Sequence, residues 1–181
     1  VNSVVPALIA GNTILFKHSS VTPKIGEHFQ NAFGRLGEHP DLLVNSITSH
    51  STTLKVIEEL AVDHVVFTGS VGGGKKIAAA CSSRFITPGL ELGGKDGVYV
   101  HCDADLELAA AAVVDGAMFN SGQSCCGVER LYLHRDIYNQ FIERAQSLIS
   151  EYTLGDPKSN ETAMGPLAKG HSADYMLQQV E

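Results

Sequence analysis

Short apolar runs alternate along this chain with longer segments whose apolar residues recur every three or four positions. The short runs favour strands, and the longer segments favour helices. Strands are expected at 43–47, 64–67, 87–92, 97–101 and 130–134, and helices at 22–36, 52–60, 74–82, 105–119 and 137–152. Thr22 and Pro23 should start the first of these helices and Gly37 should end it, and Asp105 and Asp136 should cap the last two. Strands separated by helices predict an α/β fold with a mostly parallel sheet that carries helices on both faces.

Charge and cysteine content exclude several classes of protein. The 181 residues include 13 basic and 20 acidic side chains, a net charge of −7, with no Lys/Arg run, so we expect neither a nucleic-acid partner nor a membrane surface. No apolar stretch is long enough to span a bilayer. His and Cys show no zinc-site spacing, so no metal is expected. Four cysteines in an acidic chain that opens without a signal sequence indicate reduced thiols in the cytoplasm.

Residues 67–76 form a strand, a glycine-rich turn and the start of a helix. Such a turn directs backbone N–H groups and the positive end of a helix at one point, which suits a phosphate group. A plainer interpretation is a tight turn in which glycine supplies positive φ. A third is a triphosphate-binding loop, because Gly69-x4-Gly74-Lys75 matches most of that pattern. Lys76, however, stands where the pattern requires a hydroxyl for Mg²⁺, and the segment is not the G-x-G-x-x-G fingerprint of dinucleotide sites.

Residues 120–127, called here the cysteine loop, contain the adjacent thiols Cys125 and Cys126. A cysteine in a Gly- and Ser-containing loop can be an exposed nucleophile, although buried and inert cysteines are more common. Cys81, in an Ala-rich helix, and Cys102, at a strand end, are interpreted as structural.

Glu91 lies between two leucines at the end of a predicted strand. One interpretation is an edge residue that pairs with Lys95 or Arg84. The other is a general base, because apolar neighbours favour the neutral form of a carboxyl group.

Taken together, these motifs resemble the aldehyde dehydrogenase superfamily over nearly the whole chain. The matching segments occur in the family's order, which makes the resemblance far more specific than any single motif. They are 6–13, Phe67-Thr-Gly-Ser70 with Gly74, Glu91-Leu-Gly-Gly-Lys95, Phe119-Asn-Ser-Gly-Gln-Ser-Cys125, Gly155-Asp-Pro157 and Met164-Gly-Pro166.

The resemblance implies a role for each matching residue. Cys125 is the nucleophile, Cys126 a bystander and Glu91 the general base. The NAD or NADP cofactor would be held by Lys17 at the adenosine ribose, by the turn at the phosphates, and by Leu92 beside the nicotinamide; the turn residues are Gly69, Ser70 and Gly74. It also implies a division into a cofactor-binding part, 1–94, and a catalytic part, 95–181, with the seam at the Gly93-Gly94 turn. For the full-length protein it implies a homo-oligomer.

The family's chemistry turns an aldehyde into a carboxylic acid. In the family, the Cys125 thiolate adds to the aldehyde carbon, and the backbone N–H of Cys125 and an Asn side chain hold the oxyanion. A hydride then leaves to the nicotinamide and gives a thioester, and Glu91 deprotonates the water that releases the acid. Family members often carry Pro and Glu where this chain has His18 and Ser20. Without that carboxylate, the 2′-phosphate of NADP is not repelled, so NADP use is expected alongside NAD.

The family pattern also indicates that this sequence is an internal fragment. The oxyanion Asn falls upstream of position 1 in the family, and a second ribose-binding Glu falls beyond position 181. We therefore expect residues 1–181 alone to bind cofactor weakly and to show no turnover. The alternatives are a nucleotide-hydrolysing module that uses residues 69–75, and a non-catalytic fragment that keeps only the fold.

Overall fold

A computed structural model of the chain describes residues 2–35, 39–60 and 62–180. The backbone divides between Leu92 and Gly93 into two units, Val1–Leu92 and Gly93–Glu181. The division falls beside Gly93 and Gly94, where the sequence predicted a turn. In the described residues no helix is both long enough and apolar enough to cross a membrane.

The first unit alternates helices and strands. Its elements are α1 (Val4–Ile9), β1 (Ile14–Phe16), α2 (Pro23–Phe33), β2 (Leu43–Asn45), α3 (His50–Glu59), β3 (Val66–Gly69), α4 (Val71–Ser82) and β4 (Gly89–Leu92). β1 pairs with β2, and β3 pairs with β4, both in parallel. A core of Ile57 from α3 and Ile77, Ala80 and Cys81 from α4 joins the two helices beside β3.

The second unit repeats the alternation. Its elements are β5 (Asp96–Val100), α5 (Leu106–Met118), a 3₁₀ turn (Phe119–Gly122), β6 (Val128–Leu133), a 3₁₀ turn (Arg135–Ile137), α6 (Tyr138–Ser150) and α7 (Ser172–Val180). β5 and β6 are parallel. Val100, Ala110 and Phe141 form the core, which brings one strand and two helices together.

Helix ends follow local capping chemistry more closely than the apolar pattern predicts. α3 begins before the expected Thr52, because the Ser49 hydroxyl accepts a hydrogen bond from the Thr52 N–H at 3.1 Å. Asp105 caps α5 as predicted and accepts from the Leu108 N–H at 3.1 Å. Asp136, which was expected to cap α6, lies instead within the preceding 3₁₀ turn, which His134 caps by accepting from the Asp136 N–H at 3.3 Å; α6 itself begins after Ile137 without a side-chain cap.

Two expectations about helices are changed or left open. The apolar sequence of α5 predicts a helix buried on most sides, yet only Ala110 and Val114 are buried, and Leu108 is 69% exposed. In this unit α6 and β6 cover one side of the helix. α2 starts at Pro23 as predicted, but its predicted end at Leu36 and Gly37 lies outside the described residues.

The prediction of parallel strands is confirmed, because all three observed pairs are parallel. The single sheet that was expected is replaced, within the described residues, by three separate two-stranded sheets. In a parallel pair the carboxyl ends of both strands lie at the same edge, so each pair positions the residues that follow its strands close together.

Candidate active site

One residue, Ser70, separates β3 from α4, so the glycine-rich segment is a helix start rather than a loop. The Ser70 hydroxyl accepts from the Gly73 N–H at 3.1 Å, and its carbonyl accepts from the Gly74 N–H at 2.9 Å. Among the hydrogen bonds of the described residues, the N–H groups of Val71 and Gly72 have no acceptor. Two free N–H groups at the positive end of a twelve-residue helix can receive an anion.

The glycines of this segment serve close packing and not unusual backbone angles. None of them has positive φ, so the plainer interpretation of a turn that requires it is wrong. A Cβ on Gly69 or Gly73 would lie 2.5 or 2.8 Å from the Phe67 ring, and one on Gly74 would lie 2.7 Å from a δ carbon of Leu92. At Gly72, by contrast, a Cβ would meet no atom within 4 Å. The helix start is therefore open on the side of Gly72.

The β3–β4 register brings Glu91 and Leu92 to the same edge as the helix start. Thr68 pairs with Glu91, and Gly69 pairs with Leu92. Leu92 packs over Gly74, whereas Glu91 is exposed and is not enclosed by its leucine neighbours as the sequence predicted.

The two ion-pair partners suggested for Glu91 make other contacts. Lys95 forms its ion pair with Glu129. Arg84 donates to the carbonyls of Ile57 and Val62 at 3.2 and 3.0 Å. In the part of the chain that the structure describes, Glu91 has no salt bridge.

Lys17 and Ser20 lie at the carboxyl end of a different strand, β1. Lys17 is half-buried and Ser20 is exposed, just before the N-terminus of α2, whose first turn has no acidic residue. His18 between them is buried; one ring nitrogen lies 2.7 Å from the Ser19 carbonyl oxygen, and the other has no hydrogen-bond partner. This strand end is therefore without a carboxylate at the position of Ser20.

The cysteine loop leaves α5 through a left-handed turn. Asn120, Ser121 and Gly122 have φ of 53°, 58° and 71°. The Asn120 amide donates to the Gln123 carbonyl at 3.1 Å, and the Gln123 amide donates to the Asn120 carbonyl at 3.0 Å. These reciprocal bonds close the turn directly before the thiols.

Cys125 and Cys126 are both exposed at the centre of the turn that the Gly127 N–H closes on the Ser124 carbonyl at 3.3 Å. The Cys126 sulfur lies 3.3 Å from the Ser124 hydroxyl. A Cβ on Gly94 would lie 2.9 Å from the Cys125 carbonyl oxygen, so the segment that precedes β5 approaches the backbone of Cys125. The sequence did not identify this role of Gly94.

The two remaining thiols differ from each other. Cys81 is completely buried, and burial raises the pKa of its thiol although Arg84 opposes the effect, which agrees with a structural role. Cys102 is exposed beside His101, so burial in a core does not support the structural role predicted for it. His101 also holds the pKa of the Asp103 carboxyl below its ordinary value through a hydrogen bond of 2.6 Å.

Among residues 2–35, 39–60 and 62–180, no three potential ligands cluster as a metal site would require.

Comparison with known proteins yields a consistent set of matches. The profile of the aldehyde dehydrogenase family matches residues 1–181. Lactaldehyde dehydrogenase of Escherichia coli (strain K12) is 39% identical over 180 residues, which are 97% of this chain and 37% of that protein. Succinate-semialdehyde dehydrogenase (NADP+) 1 of Mycobacterium ulcerans is 34% identical over 176 residues, which are 97% of this chain and 38% of that protein.

A solved structure, PnpE in complex with nicotinamide adenine dinucleotide, superposes with a TM-score of 0.91 at 35% identity, over 98% of this chain and 37% of that one. The chain therefore has that α/β fold, and it spans well under half the length of the relatives it matches. The matched family and relatives are dehydrogenases, which gives no support to the triphosphate-hydrolysis interpretation.

Proposed function

The chain belongs to the aldehyde dehydrogenase family, and we propose that the protein that carries it oxidises an aldehyde to a carboxylic acid with NAD or NADP. The observation that carries the proposal is Cys125, an exposed thiol on a closed turn whose carbonyl lies against Gly94. In this proposal residues 1–94 bind the cofactor, and residues 95–181 supply the thiol. The first range consists of the first unit together with Gly93 and Gly94.

Cys125 is the nucleophile of the proposed reaction. Its thiolate adds to the aldehyde carbon, and the carbonyl oxygen becomes a thiohemiacetal oxyanion. Among the hydrogen bonds of the described residues, the Cys125 N–H has no acceptor, so it is free to donate to that oxyanion. Cys126 contacts Ser124 and takes no part.

Glu91 is the general base. It removes a proton from the water that attacks the thioester on Cys125, and this releases the carboxylic acid. Its exposure and its freedom from ion pairs, among the residues described, support this role, because a carboxylate already paired with Lys95 or Arg84 would be a poorer base.

We propose that the start of α4 binds the cofactor's phosphates. The free N–H groups of Val71 and Gly72 and the cap Ser70 support this role, because a Cβ on Gly72 would meet no atom within 4 Å and the approach to these groups is open. Gly69 and Gly74 let Phe67 and Leu92 pack tightly around this helix start. When bound, NAD or NADP would accept the hydride whose loss converts the thiohemiacetal on Cys125 into the thioester.

Further residues of the first unit are assigned to the rest of the cofactor. Lys17 holds the adenosine ribose and Leu92 lies beside the nicotinamide. Ser20 leaves room for the 2′-phosphate of NADP, because neither it nor the first turn of α2 carries a carboxylate.

The relatives named above act on succinate semialdehyde and lactaldehyde, so we propose a small aldehyde as the substrate. We also propose a homo-oligomer in the cytoplasm. Free cysteines at all four positions support a reducing compartment, and exposed side chains such as Leu108 and Phe119 support further association.

The test is a steady-state assay of the full-length protein. Lactaldehyde and succinate semialdehyde are each offered with NAD or NADP, and cofactor reduction is followed by absorbance. Oxidation that is lost in Cys125→Ala supports the proposal. Phosphate release from ATP without cofactor reduction would instead favour the nucleotide-hydrolysing alternative, and a folded protein with neither activity would favour a scaffold.

A further inference from the structure

The cysteine loop contains three consecutive residues in the left-handed region, Asn120, Ser121 and Gly122. Glycine adopts these angles readily and asparagine tolerates them, but a serine in this region is unfavourable. A run of such residues persists only where surrounding contacts determine it. The contacts that hold this turn therefore also determine where Cys125, three residues later, is placed.

Gln123 makes those contacts with both ends of its side-chain amide. Its nitrogen donates to the Asn120 carbonyl at 3.0 Å, which closes the turn on itself. Its oxygen accepts from the Ala168 N–H at 2.8 Å, across 45 positions of sequence. One side chain thus fixes the turn and fastens it to a distant segment of the same unit.

A second bond supports the same attachment. The Ser121 hydroxyl donates to the Gly165 carbonyl at 2.8 Å, so the segment 165–168 holds the turn at two points. Both partners on that segment are backbone groups. An ordinary side-chain substitution within the segment would therefore leave both hydrogen bonds in place, and only proline would remove an N–H donor.

We propose that Gln123 is a positioning residue for Cys125, which keeps the thiol in its reactive orientation by fastening the left-handed turn to Ala168. This inference rests on the proposed function, because it assumes that Cys125 is the nucleophile. Gln123 itself touches neither substrate nor cofactor in this proposal. Its loss should therefore slow the chemical step and leave substrate binding nearly unchanged.

The experiment compares three variants of the full-length protein. Gln123→Met keeps the length of the side chain but removes both hydrogen bonds. Gln123→Glu retains an oxygen that can accept from Ala168. Gln140→Met makes the same exchange on the exposed face of α6 and is the matched control. Each is measured for kcat, for the KM of the aldehyde, for the rate of Cys125 alkylation by iodoacetamide, and for Tm.

We expect Gln123→Met to lower kcat by about tenfold to a hundredfold, the range that misplacement of a reacting group produces, with KM changed by less than about threefold. Alkylation of Cys125 should slow in parallel. Gln123→Glu should recover part of both rates, because it keeps the bond from Ala168 but cannot donate to the Asn120 carbonyl, and Gln140→Met should match the unsubstituted protein.

The proposal is overturned if Gln123→Met matches Gln140→Met in kcat and in Cys125 alkylation, or if KM alone changes. If Gln123→Met does not fold, Ala168→Pro removes the N–H donor and leaves Gln123 intact, and normal rates in that variant would overturn the proposal equally. A protein that still oxidises aldehydes after Cys125→Ala would refute the proposed function itself, which is a different outcome from an essential Cys125 with an indifferent Gln123.

Discussion

The helix start after β3 and the cysteine loop after α5 are both short, glycine-containing connections, yet they reach their shapes in opposite ways. At the helix start every glycine has ordinary backbone angles, and Ser70 alone caps the helix. In the cysteine loop three successive residues are left-handed, and side-chain amides together with a segment 45 residues away hold them. The first connection is regular and local, and the second is irregular and depends on distant contacts.

This difference matches the demands of the two proposed tasks. An anion needs only free N–H groups at a helix end, which any well-capped helix provides. A nucleophile needs one side chain aimed in one direction, which requires a backbone that cannot relax. Substitutions at the helix start should therefore change cofactor binding, and substitutions in the cysteine loop should change the rate of the chemical step.

The largest expected effect tests the second unit directly. Cys125→Ala should lower kcat by at least about 10⁴-fold, because the covalent step is lost, while Cys126→Ala should leave most of the activity. Steady-state oxidation by the full-length protein measures both. Equal losses in the two variants would show that the loop does not aim one thiol in preference to its neighbour.

The next effect tests the first unit through its cofactor. We expect measurable oxidation with NADP, and Ser20→Glu should lower kcat/KM for NADP by about 10²-fold through repulsion of the 2′-phosphate while that for NAD changes little. Ser20→Gln is the neutral control of equal size. If the unsubstituted protein prefers NAD by more than about four decades, roughly 5.5 kcal/mol, then something other than position 20 excludes NADP.

A smaller effect concerns the close approach of Gly94, which precedes β5, to the backbone carbonyl of Cys125. Gly94→Ala would place a Cβ 2.9 Å from the Cys125 carbonyl and should destabilise the fold by about 1–3 kcal/mol while lowering kcat. Gly93→Ala, whose Cβ would meet nothing within 4 Å, is the control. Chemical denaturation and kcat measured on both variants decide the matter. If both behave alike, Gly94 does not constrain the loop.

The smallest expected effects are changes in the free energy of unfolding, and they have opposite signs at the helix start and in the cysteine loop. Gly122→Ala should destabilise the protein by about 1–2 kcal/mol, because φ is 71° there. Gly72→Ala, in a helix with open space at its Cβ, should stabilise it by up to about 1 kcal/mol. Urea denaturation gives both free energies of unfolding. A destabilised Gly72→Ala would mean that the helix start is as constrained as the loop.

The sequence predicted the regular part of this molecule well, because periodicity and capping are local properties. Parallel pairing, the Asp105 cap and the start of α2 at Pro23 were all predicted. The exposure of α5 could not be predicted, since an Ala- and Val-rich helix gives no information about what covers it.

The site was predicted less completely, and again distance in sequence explains why. The left-handed tendency of Asn120 and Gly122 could have been inferred from residue type alone. The bond from Gln123 to Ala168 and the approach of Gly94 to Cys125 could not, because both join residues more than thirty positions apart. The roles assigned to Cys125, Glu91 and the cofactor residues remain predictions for the experiments above.

The bond between Gln123 and Ala168 also imposes an order of events during synthesis. Ribosomes add about 5–20 residues per second, so the 45 positions between these residues take about 2–9 s to make. Until Ala168 emerges, the turn lacks its attachment, although both thiols have already been translated. The nascent chain thus carries Cys125 for some seconds before the bond to Ala168 can hold the turn in place. A chain that stalls in this interval would present an exposed thiol whose orientation is not fixed.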